Sequence, residues 1–245
     1  LVKNRTGRWT LSGANAFSGG VELNQGVLRV GDDSALGVGT LRALGGTLTS
    51  NSVGARTLAN LVSLEGDLNL GDATNSGKLT LSGGVTLVGA RTLTLDSAVE
   101  LGGVVSGTGS LTKVGGALLT LSGANTFSGA LQITSGSLDV AASGILVTNT
   151  LGVSSGAALN VLAGGSLSAD AALQADGFVN VFGPTMTLRS VNGGSSGLLT
   201  LDSTQLSVGS GAFSGVMRDG AFAGSLRKVD TASVTLTGGS QLFTG

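Results

Sequence analysis

A thirty-residue stretch occurs twice, without a gap, in this chain. Residues 111–140 read LTKVGGALLTLSGANTFSGALQITSGSLDV and residues 1–30 read LVKNRTGRWTLSGANAFSGGVELNQGVLRV, in step at an offset of 110. A third copy starts at Leu226 as LRKVDTASVTLTGGSQLFTG and is interrupted at residue 245. The sequence therefore reads as a fragment of a longer repetitive polypeptide. Repetition on this scale points to stacked like units along an axis.

The shared positions say what the unit is. Leu119, Leu121, Leu131, Ile133, Leu138 and Val140 alternate with Thr120, Gln132 and Asp139. That period of two marks short strands with one face buried. Ser122-Gly123-Ala124-Asn125 and Ser135-Gly136-Ser137 separate the runs and turn the chain at low cost. Asn15 and Asn125 hold the same place in two copies. Asparagine tolerates left-handed backbone and hydrogen-bonds its own turn, so a corner is expected there. Phe17, Phe127 and, one residue later in its copy, Phe243 follow that corner as apolar plugs.

A shorter echo, Gly54-Ala55-Arg56-Thr57-Leu58, returns as Gly89-Ala90-Arg91-Thr92-Leu93, 35 residues on. Blades of a propeller would need hairpins and a bulky blade motif, and turn dipeptides are confined to places such as Asn192-Gly193 and Asp219-Gly220. Pro184 cannot donate to a ladder and marks a bend or an edge. A helix drawn through residues 168–174 is short and bracketed by glycines. An all-β parallel β-helix fits best: about 22 residues per coil, about eleven coils, on the order of 50 Å long at ~4.8 Å per coil. One continuous domain over residues 1–245 is expected, because no linker-like segment interrupts the texture.

Composition agrees. With 44 Gly, 1 Pro, 1 Trp and no Tyr, the chain lacks aromatic mass, so its core must be small aliphatics in a narrow tube. At 41% hydrophobic and 11% charged it is too apolar for disorder. The net charge of −1 gives no field that would gather nucleic acid or an anionic membrane. No apolar run reaches the roughly 18 residues of a membrane helix. Absence of cysteine excludes disulfides and thiolate metal sites, and suits a protein exported unfolded. Between Lys113 and Arg189 there is no Lys or Arg, only Asp139, Asp170 and Asp176, which predicts a neutral flank around residues 141–188.

The pattern Leu-x-Lys, then Leu-Thr-Leu-Ser-Gly-Ala-Asn-x-Phe-Ser-Gly, then Gly-x-Leu-x-Val resembles the autotransporter passenger-associated transport repeat. Leu111, Lys113, residues 119–129 and residues 136–140 carry it, as do Leu1, Lys3, residues 9–19 and residues 26–30. The resemblance implies a right-handed parallel β-helix, secreted to the surface of a Gram-negative bacterium. The parent would continue into an outer-membrane β-barrel. It also implies repeats that promote folding outside the cell and so help export, in a surface adhesin or virulence factor.

Candidate chemistry is sparse, and no catalytic, cofactor-binding or metal residue is expected. Two G-x-S-x-G matches, residues 152–156 and 193–197, lack any histidine to act as base. Asp32, Asp33, Glu65, Asp67 and Asp72 fit no calcium-loop spacing and read as solvated corners. Glu65 with Asp67, or Asp96 with Glu100, would be the acids of a polysaccharide hydrolase. Asn4-Arg5-Thr6 fits a glycosylation acceptor, a weak signal in a bacterial protein. Lys3, Lys113 and Lys228 recur with the motif and read as exposed strand-end charges that discourage edge pairing. A non-catalytic stalk is the leading expectation. The alternatives are a module binding a host surface or serum protein through the flank, and the hydrolase.

Overall fold

The period-two runs become short strands, and each strand lies flat on its counterpart one turn away. In the computed structural model, which describes residues 1–239, every strand pairing is parallel. Three stacks wind up a solenoid. The first side runs from Val2–Lys3 through Val21–Leu23, Leu41–Ala43, Val62–Leu64 and Val85–Leu87 to Val105–Gly107. A three-stranded stack then follows, Ala124–Asn125, Ile145–Leu146 and Ser166–Leu167. The second side stacks strands from Arg8–Leu11 to Ser225–Lys228 without a break, and the third runs from Arg56–Leu58 to Val216–Asp219.

The second side alone counts about twelve turns rather than eleven. Most turns are shorter than the sequence suggests because their corners need so little chain. Leu111 pairs with Leu131 and Leu131 with Leu151, so the step there is short and constant. The longest step on this side runs from Leu70 to Leu95.

The 110-residue offset is therefore not a whole number of turns. From Lys3 the partners climb through Leu23, Ala43, Leu64 and Leu87 to Gly107, five turns, all on the first side. The next strand, Leu111–Val114, carries Lys113 on the second side. Likewise Arg56–Leu58 lies on the third side and Arg91–Leu95 on the second, five sides further along. The repeating module is a side with its corner, not a full coil.

Inward positions fill the tube with Leu, Val and Ile, among them Leu28, Leu48, Leu70, Leu95, Leu119, Leu138, Leu159 and Val179, all essentially inaccessible to solvent. Phe127 and Phe213 are buried plugs, and Phe17 packs against the core from its edge. Phe243 lies outside the described residues. The segment 168–174 forms a corner leading into the strand Ala172–Ala175, and no helix forms among the described residues. Pro184 sits at a corner, between Phe178–Phe182 and Thr185–Asn192. Neither Asn192-Gly193 nor Asp219-Gly220 closes a hairpin, since both flanking strands pair in parallel with other turns.

Candidate functional site

Two of the three repeat lysines, Lys3 and Lys113, depart most from expectation, whereas Lys228 is exposed as expected. In Leu111-Thr112-Lys113 the lysine is in phase with Leu111, so the alternation aims it into the tube. It is fully buried, as is Lys3 in the first copy. They are not exposed edge charges. Each stem occupies an aliphatic position, and Lys113 stands between Leu93 and Ile133 in the stack.

Each ammonium is satisfied at the corner beyond its strand. Lys113 Nζ donates to Gly115 O at 2.6 Å and to Ser135 O, on the next turn, at 2.8 Å. Lys3 Nζ donates to Arg5 O and, at 3.2 Å, to Gln25 O. The acceptors hold the same two offsets from the lysine in both copies. Lys228, in the third copy, donates to Asp230 O, which holds the first of those offsets. Burial lowers the Lys113 ammonium from the ordinary 10.5 to about 8.

The glycine of each repeat belongs to the same arrangement. Gly26 and Gly136 have φ of 79° and 69°, and each directly follows the carbonyl that its lysine reaches on the next turn. A Cβ at Gly136 would lie 2.6 Å from Lys113 Nζ, and one at Gly26 would lie 2.5 Å from Lys3 Nζ. The ammonium fills the space that a side chain would need. Spacing in the sequence showed both residues recurring but not that they touch.

Corner asparagines behave as expected in one respect and not in the other. Asn125, itself fully buried, donates from Nδ2 to Gly123 O at 2.8 Å, and its Oδ1 accepts from Val105 N at 2.9 Å out of solvent. Asn15 Nδ2 donates to Gly13 O at 3.1 Å and Ala35 O at 2.8 Å. Neither needs left-handed backbone, because Ser203 alone among the described non-glycine residues has a positive φ.

Three of the four acids proposed for hydrolysis, Glu65, Asp67 and Glu100, are occupied in ion pairs and backbone caps. Glu65 accepts two bonds from Arg42, at 3.0 and 2.8 Å, and one from Ser63. Those bonds hold its carboxyl below the usual range. Bonds from Lys78 and Ser122, both at 2.6 Å, do the same for Glu100. A general acid for glycoside cleavage needs the opposite shift. Asp67 Oδ1 caps Thr92 N at 2.8 Å, and Asp33 Oδ1 caps Thr57 N at 2.9 Å, so the two Gly-Ala-Arg-Thr-Leu copies are held alike. Asp32 caps Ser34 N.

Asp72 stands apart. Residues 71–77 lie within the longest turn and fold over the outer face of the second side. Asn75 O accepts from Thr49 Oγ1 at 3.4 Å and seals that hydroxyl from water. Asp72 accepts from Thr74 N and Asn75 N and pairs with Arg29 at 3.1 Å. Burial pushes its carboxyl up, but these bonds outweigh it and leave it lowered. Beside the loop lies a concavity of about 300 Å³ lined by Arg8, Arg29, Thr74 and Asp96. Among the described residues no three acids gather in a metal-binding group.

Of the two G-x-S-x-G matches, Ser154 Oγ of the first accepts from Gln132 Nε2; in the second, Ser196, which follows the motif serine Ser195, donates to Asp176 O, and the sequence has no histidine.

The third side carries two parallel rows over the neutral flank. Ala158, Phe178, Leu198 and Val216 stand in register above Ser137 as an apolar row, with Phe178 45% exposed. Beside it run Asp139, Asn160, Asn180, Thr200 and Arg218. Asn180 donates to Asn160 at 2.9 Å and Asn160 to Asp139 at 2.7 Å, so the ladder is polarised toward the carboxylate.

The passenger-associated-transport-repeat family matches residues 1–30 and 111–140, the two segments that carry the lysine–glycine pairs. The adhesin BmaC autotransporter of Brucella suis biovar 1 (strain 1330) is 33% identical over 143 residues, 56% of this chain but 4% of that protein. No solved structure matches the chain. Two passenger-associated transport repeats, a parallel β-solenoid and an adhesin relative together support an autotransporter passenger domain, secreted or displayed on the surface of a Gram-negative bacterium.

Proposed function

We propose that this chain is a non-catalytic stalk of an autotransporter passenger, forming one β-helical domain whose repeats promote folding outside the cell and thereby export. The parent would end in an outer-membrane β-barrel that tethers the stalk. The observation that carries this reading is the stack itself: each strand bonds only to the turns above and below, so a finished turn is a template for the next. Folding then advances one turn at a time and releases free energy on the outside, where the chain emerges. In the parent, removing residues 111–140 is expected to lower the protease-accessible passenger at the surface and leave precursor in the periplasm. Export at the unaltered level would overturn the role given to the repeat.

A second reading, a host-protein-binding module, is favoured by the apolar row Ala158–Phe178–Leu198–Val216 beside the asparagine ladder. Flat apolar rows rimmed by polar groups suit protein partners. Phe178→Ser with Leu198→Ser is expected to abolish capture of a protein from a panel of purified serum and matrix proteins while the β spectrum persists. No captured protein, or capture unchanged by the substitutions, would remove this reading.

A further inference from the structure

We infer that the lysine of the passenger-associated transport repeat is a register key: it sets which residues of the next turn can settle on it. The inference rests on reading the repeats as folding elements.

The aliphatic tube cannot do this by itself. On the second side the inward residues of the two strands before Leu111–Val114 and the two after it are Leu68 and Leu70, Leu93 and Leu95, Leu131 and Ile133, and Leu151 and Val153. A strand displaced by two residues still presents aliphatics inward and polar residues outward, so burial barely distinguishes the native alignment from a slipped one. Chains built from near-identical rungs are prone to that error.

Lys113 breaks the degeneracy. Its ammonium is buried and reaches two carbonyls, one on its own corner and one, Ser135 O, on the incoming turn. A two-residue slip carries Ser135 O away from Nζ and replaces Gly136 by Thr134 or Leu138. Either side chain would collide with the ammonium, which already occupies the Cβ site. The wrong alignment thus leaves a buried cation short of an acceptor and meets a clash, while the right one satisfies both groups. The same two offsets at Lys3, with Gln25 O and Gly26, repeat the device on another side of the solenoid. Polar groups buried for alignment rather than for stability have this character: an aliphatic of equal size would pack as well and discriminate less.

The chain contains no cysteine, which makes alignment directly measurable. Thr112 and Gln132 are outward neighbours in the native register, and Thr134 is the neighbour after a two-residue slip. Thr112→Cys is combined with Gln132→Cys or with Thr134→Cys, and the chain is unfolded, refolded under reducing conditions and oxidised. With Lys113 present, the 112–132 disulfide is expected alone. With Lys113→Met the β spectrum and melting temperature are expected to persist, while the 112–134 disulfide appears and native crosslinking falls at least threefold. Leu111→Met, an adjacent inward change that leaves the ammonium in place, is expected to give native crosslinking only. Native crosslinking unchanged by Lys113→Met would overturn the inference, as would equal slippage from Leu111→Met. A Lys113→Met chain that fails to fold would also overturn it, by making the lysine a source of stability rather than of alignment. Because this is measured on purified chain, it can fail while the export role stands, and the reverse.

Discussion

Lys113 Nζ lies 2.6 Å from the point where a side chain on Gly136 would begin, and Lys3 stands in the same relation to Gly26. Two positions one turn apart in each repeat are therefore one structural object, a cation on one turn and a vacancy on the next. The repeat is defined less by its apolar pattern, which much of the chain shares, than by this pair.

Gly136→Ala is expected to be costly on two grounds. Its φ of 69° is unfavourable for any residue with a Cβ, by roughly 1–2 kcal/mol, and the new methyl meets both Gly115 O and the Lys113 ammonium. A loss of at least ~2 kcal/mol should appear in denaturant unfolding. Gly116→Ala is the control: nothing lies within 4 Å of its Cβ, and a change within about 0.5 kcal/mol is expected.

Stability should rise with pH above about 8. The folded chain holds the Lys113 proton up to about pH 8, whereas the unfolded lysine keeps its proton to about 10.5. Between those values the unfolded chain binds more protons, so raising the pH favours the folded state. No His, Cys or Tyr titrates in that window to obscure it. Melting temperatures at pH 8 and pH 10 should show the increase in the native chain and a smaller one in Lys113→Met; equal increases would assign the effect elsewhere.

Asn125→Ala should cost about 1–3 kcal/mol, because the Val105 N–H that its Oδ1 receives at 2.9 Å would be left buried without an acceptor. Thermal melts compare it with Asn125→Asp, which keeps that acceptor but loses the bond to Gly123 O and buries a charge. Both are expected to fall below the native chain.

Arg42→Met tests the ion-pair row on the first side. Arg42 bridges Glu22 at 2.6 Å and Glu65 at 2.8 Å, yet it is about half exposed. Pairs in such surroundings contribute little to stability and are screened by salt. The loss should be small in dilute buffer and vanish in 1 M salt.

Much of this was readable in the residues. The alternation of Leu119-Thr120-Leu121 and the Ser-Gly-Ala-Asn corners announce short strands turned at corners rather than closed as hairpins, and the rest of each turn supplies the crossover that parallel pairing needs. The lysine position was also readable: Lys113 is in phase with Leu111, and phase outranks charge when the ammonium can reach a corner. Its acceptors were not, since Ser135 O lies on the following turn and its position depends on the length of that particular turn. Nor was the covering of Thr49 by residues 71–77, which arises from a loop folding back across a sheet. The module length sits in the shorter echo, where 35 residues carry the chain five sides on. Counting in whole coils conceals it.

Since the two repeats fall on different sides of the prism, copies of one motif do not share a bearing around the fibre axis. Whatever outward group travels with the motif points one way in the first copy and another in the second and third, which begin on the same side. A rigid partner approaching from one direction would meet the start of the first copy or the starts of the two later ones, but not all three at once.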